Sequence, residues 1–181
     1  MSEPEMSEPE MSDAGQAAFR RAAGQFPGGI VVVTTSDGHA MTVSAFASVS
    51  LEPPLVLFCA EKIARFHDAV LAAGAWAVSI LGEDAEKTAR WLATRGRPLD
   101  GQLDGVAHRL GPVTGAPLLD GALAALECRT AAVYDGGDHS IIVGRVAAVD
   151  GPPGPSAPGQ PARGPLVHHA GRYRRLRPAE G

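Results

Sequence analysis

The sequence predicts a mainly β fold, an antiparallel, Greek-key-like barrel with helices at its periphery. Three observations predict it. Short β-branched and apolar runs of strand length recur along the chain. Turns carrying Gly and Asp separate several of them at hairpin distance, and few stretches between them show helical spacing. Strands arriving as hairpins and meanders close into a barrel, whereas a doubly wound parallel sheet alternates strand with helix.

The elements follow in order. Residues 1–13 repeat MSEPE and restart as MSD, an acidic low-complexity stretch that reads as a disordered extension. A first helix is expected over 14–25, with Phe19, Ala22 and Ala23 on its apolar side, until Pro27-Gly28-Gly29 breaks it. Residues 30–35 read as a buried strand, joined through Ser36-Asp37-Gly38 to a long strand over 40–51. Glu52-Pro53-Pro54 separates that strand from the next, 54–60. A helix over 64–73 ends at Gly74, a strand follows over 76–81, and a second amphipathic helix spans 83–94 with Ala85, Ala89 and Leu92 on one face. Residues 95–117 are loop-rich. Strands over 123–134 and 140–149 flank Gly136-Gly137-Asp138, a proline-rich loop runs from 152 to 165, and 166–173 adds a last short strand. The domain is expected to span 14–176, with 177–181 as a tail.

Composition narrows the function classes. A chain of 181 residues with 45% hydrophobic and 20% charged side chains makes one domain with a real core. A net charge of −4, with basic residues concentrated only at 172–177, argues against nucleic acid as the partner. No apolar window is long enough to span a membrane, and the acidic N-terminus lacks the apolar core of a secretory signal, so cytoplasm is the expected compartment. Cys59 and Cys128 are too few for a disulfide framework and read as thiols; no CxxC or histidine-rich cluster points to a metal.

The informative segment is MTVSAFASVSL, residues 41–51. Read as one strand, it puts Met41, Val43, Ala45, Ala47, Val49 and Leu51 on one face, and Thr42, Ser44, Phe46, Ser48 and Ser50 on the other. The first is a core face. The second is a row of hydroxyls around one ring, which suits either water or a flat ligand with polar edges. Alternation alone leaves both open.

The stretch MTVSAFASVSLEPPLVL resembles the signature of the short-chain flavin reductase family, the reductase components of two-component flavin monooxygenases. Three further blocks are similar to that family: GAPLL with AALEC, GDH with IIVGRV, and PLV followed by His169 and Gly171-Arg172-Tyr173. The resemblance implies an FMN-binding split barrel, a homodimer with flavin near its interface, and hydride transfer from NADH or NADPH to FMN, with FAD the alternative. It places the flavin ring against Thr42, Val43, Ser44, Ala45, Ser48, Val49 and Ser50. It places the phosphate after the next strand, at Cys59, Ala60, Lys62 and Arg65, although Ala64 and Phe66 stand where the family often has hydroxyls. His139 is the expected catalytic histidine, with His169 and Tyr173 as further contacts; His39, His67 and His108 read as surface residues. Two other roles stay open on the same fold: a tight flavin-binding oxidase, oxygenase or tailoring enzyme, and a non-enzymatic flavin- or haem-binding module.

Overall fold

The computed structural model describes residues 11–98, 100–151 and 163–176. The acidic repeat up to residue 10, most of the proline-rich loop and the tail from 177 lie outside the described residues. Helix α1 (Asp13–Ala23) starts at an N-cap in which the Ser12 hydroxyl accepts from the Gly15 amide. The expected apolar side of α1 is not buried: no residue of the helix is, and Phe19 is 64% exposed.

Strands β1 (Gly28–Gly29), β2 (Val31–Thr35), β3 (Ala40–Val43), β4 (Phe46–Leu51) and β5 (Pro54–Glu61) come next. They are followed by α2 (Arg65–Ala73), β6 (Ala75–Ile80) and α3 (Glu86–Ala93). Strands β7 (His108–Leu110), β8 (Pro117–Leu119), β9 (Ala124–Gly136), β10 (His139–Asp150), β11 (Leu166–His169) and β12 (Arg172–Arg175) complete the chain. Gly74 ends α2 in the left-handed conformation with φ 61°, which a side chain would resist. Two expectations change here. The segment 95–117 is not all loop, because β7 pairs with β8. Residues 166–173 are not one strand but the start of a hairpin that turns at Ala170-Gly171, with His168 opposite Tyr173.

The main sheet has seven antiparallel strands in the order β3-β2-β6-β9-β10-β5-β4. Its two edge strands, β3 and β4, are consecutive in the chain with only Ser44 and Ala45 between them. The sheet must therefore curl so that these two edges come together at the Ser44-Ala45 junction, where the Cys59 amide donates to the Ala45 carbonyl at 3.0 Å and extends the β4–β5 pairing by one residue. This is an antiparallel barrel, as the hairpin pattern predicted. Its interior holds Val31, Val33, Val43, Val56, Phe58, Val70, Trp76, Val78 and Ile142. Each large apolar side chain buried there stabilises the fold by ~1.5–3 kcal/mol before entropy is counted. Trp76 stands edge-on to Phe58 with ring centroids 4.9 Å apart. A second cluster, with Ile30, Val32, Leu81, Leu92 and Leu166, seats α3 and β11 against the sheet.

The seam also corrects the reading of 41–51 as one strand. The break at Ser44-Ala45 resets the alternation. Phe46 packs against the interior, while Val49 and Leu51, assigned to the core face, are 49% and 92% exposed. A register shift between Ser48 and Ser50 breaks the pattern again. The two cysteines are free thiols, Cys128 buried and Cys59 half-buried.

Candidate functional site

The seam opens a cleft of about 400 Å³. One wall is β3 and the Ser44-Ala45 break. A second is the end of β5 with the start of α2, carrying Cys59, Glu61, Ala64, Arg65 and Phe66. The third is the end of α3 and the loop after it, carrying Thr94, Arg95, Gly96 and Arg97. His139 joins the rim because β10 starts opposite the end of β5, with His139 in register with Glu61.

Among the expected site residues, Thr42, Val43, Ser44, Ala45, Cys59, Arg65 and His139 line this cleft. The Thr42 hydroxyl is committed, donating to the Ala89 carbonyl of α3 at 2.8 Å. Ser44 and Ala45 are exposed and small, so the backbone at the break is open to a flat ligand. The other expected residues are not among the cleft's walls. Ser48, Val49 and Ser50 continue into β4 beyond the break, and the Ser50 hydroxyl accepts from the Glu52 amide at 3.2 Å. Ala60 alternates inward and is fully buried in the core. Lys62 turns away to Asp135, with Nζ 2.6 Å from its carboxylate. Tyr173 lies under the Arg90 guanidinium at 4.8 Å and edge-on to His168; like His169 it belongs to the β11–β12 hairpin.

Several cleft residues escape a reading of the sequence. Arg95 and Arg97 lie in the segment read as loop, as does Gln102. The tetrapeptide Thr94-Arg95-Gly96-Arg97 is their only local sign. His39 lines the cleft rather than the open surface. His67 is not a surface residue either: its side chain is 11% exposed and its Nε2 lies 2.9 Å from the Ser140 hydroxyl.

The charges at the site are ordered by contacts. Arg97 donates to the Ala40 and Thr94 carbonyls and to Gln102 Oε1, which staples the loop to β3. Gln102 Oε1 also accepts from the Ala40 amide at 3.3 Å. Arg65 donates to the Arg97 carbonyl. Burial, with the Arg65 charge adding to it, holds the Arg97 guanidinium below its ordinary pKa, and its Nε is buried without a partner. Burial pushes the Cys59 thiol up, so it is a neutral wall rather than a thiolate nucleophile. His139 Nδ1 lies 2.6 Å from Asp138 Oδ1. The hydrogen bond and charge of His139 hold the Asp138 carboxyl below the usual range. With Nδ1–H donating to Asp138, Nε2 is the ring's free nitrogen.

A cleft of this size accepts a ring system of cofactor dimensions. Its small residues at the break, its cationic rim and the histidines His39 and His139 fit a flat, polar-edged molecule bearing phosphate.

Comparison with known proteins agrees with that geometry. The flavin reductase like domain matches residues 23–177. An NADH-dependent FAD reductase of Streptomyces globisporus is 44% identical over 163 residues, covering 88% of this chain and 85% of that protein. An NADH-dependent FMN reductase of Streptomyces nodosus subsp. asukaensis is 38% identical over 171 residues, 91% of this chain and 87% of the relative. The solved structure of the Streptomyces globisporus C-1027 NADH:FAD oxidoreductase, with NAD and FAD fragments, superposes with a TM-score of 0.83. It is 38% identical, over 96% of this chain and all of that one. The flavin reductase component of a bacterial two-component tryptophan halogenase gives a TM-score of 0.80 at 40% identity, over 89% of this chain and 98% of that one.

Proposed function

The chain belongs to the flavin reductase like domain family, and from that premise we propose that it is an NADH:flavin oxidoreductase that passes reduced flavin to a partner monooxygenase. The observation that carries the reading is the cleft at the barrel seam. There the family-like strand end, an arginine rim and His139 converge.

When bound, flavin supplies the electron-accepting ring and nicotinamide supplies the hydride. The chain's own residues bind, orient and exclude water. Ser44 and Ala45 let the ring edge approach open backbone. Arg65 and Arg95 offer guanidinium donors to phosphate. The Cys59 thiol, kept neutral by burial, adds no charge to its wall. His139, oriented by Asp138, presents Nε2 at the rim, where its N–H, in the doubly protonated ring, would donate to negative charge gained on reduction.

Homodimerisation is part of this proposal. Strands β4, β9 and β10 leave Val49, Leu51, Val133, Tyr134 and Val149 exposed, apolar side chains available to a second copy. The relatives named for NADH favour that donor over NADPH, and they include users of FAD and of FMN. A cytoplasmic setting, where reduced nicotinamide is held, fits the same reading; no helix among the described residues is long and apolar enough to cross a membrane.

The test is a steady-state assay of the purified protein with NADH and NADPH against FMN, FAD and riboflavin. Flavin-dependent NADH oxidation is expected. No consumption of either nucleotide with any flavin would refute the proposal.

A further inference from the structure

Glu61 is the one carboxylate among the described residues lining the cleft, and it stands among Arg65, Arg95 and Arg97. The three arginines are not equivalent. Arg65 and Arg97 donate to backbone carbonyls and fix the loop after α3. Arg95 instead reaches across the cleft, where one guanidinium nitrogen lies 2.6 and 2.8 Å from the two Glu61 oxygens. Glu61 is its only recorded polar partner among the described residues. The Arg95 side chain is 76% exposed and that of Glu61 28%. An ion pair this open contributes little to the fold, so a competing anion can take the guanidinium at small cost. Lys62, the other cation at this end of β5, is already neutralised by Asp135 outside the cleft. A phosphate monoester or diester matches the guanidinium fork at least as well as a carboxylate does.

We propose that Glu61 is an internal counter-anion, which holds Arg95 in the free protein and yields it to the phosphate of an entering flavin. The inference rests on the flavin-reductase reading and deepens it. Phosphorylated flavins must displace a carboxylate, and riboflavin need not. Glu61 thereby lowers the affinity for FMN and FAD selectively, which suits a flavin that must leave again to reach another enzyme.

Flavin titrations of the full chain by fluorescence test this, with FMN, FAD and riboflavin against wild type, Glu61→Gln, Arg95→Gln and the double variant. Glu61→Gln should bind FMN and FAD roughly three- to fivefold more tightly, the range of an exposed ion pair, with riboflavin unchanged. Arg95→Gln should weaken FMN and FAD by a similar factor, and in its background Glu61→Gln should do nothing further. An equal shift for all three flavins overturns the inference, as does unchanged or weakened FMN and FAD binding by Glu61→Gln. Should Glu61→Gln fold poorly, Arg95→Gln decides alone: an unaltered FMN-to-riboflavin affinity ratio overturns it. A wild-type protein that takes up none of the flavins removes the functional reading as well. Wild-type binding without a phosphate-selective effect removes only the counter-anion.

Discussion

Replacing Gly144 with Ala tests how tightly the barrel interior is packed. A Cβ at this buried position of β10 would lie 2.3 Å from Trp76 Cζ2, 2.7 Å from Cη2 and 3.1 Å from the Cys128 Cβ. Ordinary contact begins at 3.4 Å. The indole, fully buried, would have to retreat by about 1 Å into a core without spare room. That movement disturbs its edge contact with Phe58 and its hydrogen bond from Nε1 to the Thr130 hydroxyl at 3.1 Å. Overpacking of this kind costs ~1–3 kcal/mol and a weakened buried hydrogen bond adds about 1, so the expected loss is roughly 2–4 kcal/mol. For a chain of this size that lowers the melting temperature by about 5–15 °C. Denaturant and thermal unfolding measure it. Trp76→Phe removes both clashing atoms, so the double variant should be more stable than the two single losses added together. A Gly144→Ala protein within about 0.5 kcal/mol of wild type, or strict additivity with Trp76→Phe, would refute the packing argument.

Other outcomes follow from the same contacts. Glu127, buried, accepts from the Val113 and Thr114 amides and the Thr114 hydroxyl at 2.9, 2.6 and 2.7 Å. Glu127→Ala orphans all three donors and should cost about 2–4 kcal/mol in urea unfolding. Burial, with the Glu127 charge adding to it, pushes the Cys128 thiol up to about 12 from the usual 9.0. Above the usual value the unfolded chain gives up this proton first, so stability should fall with rising pH by about 1.4 kcal/mol per unit until the folded thiol ionises. Cys128→Ala should flatten that alkaline slope in pH-dependent unfolding; an unchanged slope would assign it to other groups. His139→Ala should lower kcat/KM for NADH oxidation about 10- to 100-fold while flavin affinity changes less than about twofold. Equal losses in binding and turnover would make His139 a binding residue only.

The sequence by itself determined most of the strands, the β2–β3 and β9–β10 hairpins and the family. Apolar runs and Gly-Asp turns are local signals, and the segment 41–57 carries enough fixed positions to identify its kin. That His139 and the stretch from Thr42 to Ala45 would line one cleft was legible for the same reason, because each sits inside a matched block. Tertiary structure decided what adjacency cannot encode. Period-two alternation assumes one unbroken strand, and the chain instead leaves one edge of the sheet at Val43 and joins the other at Phe46, so the faces of Ala47, Val49 and Leu51 reverse. The same closure brings the loop after α3, over thirty residues downstream of Glu61, to the opposite wall of the cleft. Arg95 and Arg97 could not be read as site residues because nothing within their own loop distinguishes a cleft-lining arginine from a solvated one. Lys62 shows the converse: it is next to the site in sequence, but the turn after β5 sends its side chain to Asp135. Charge type is written in the chain; which charges face one another is settled only when the barrel closes.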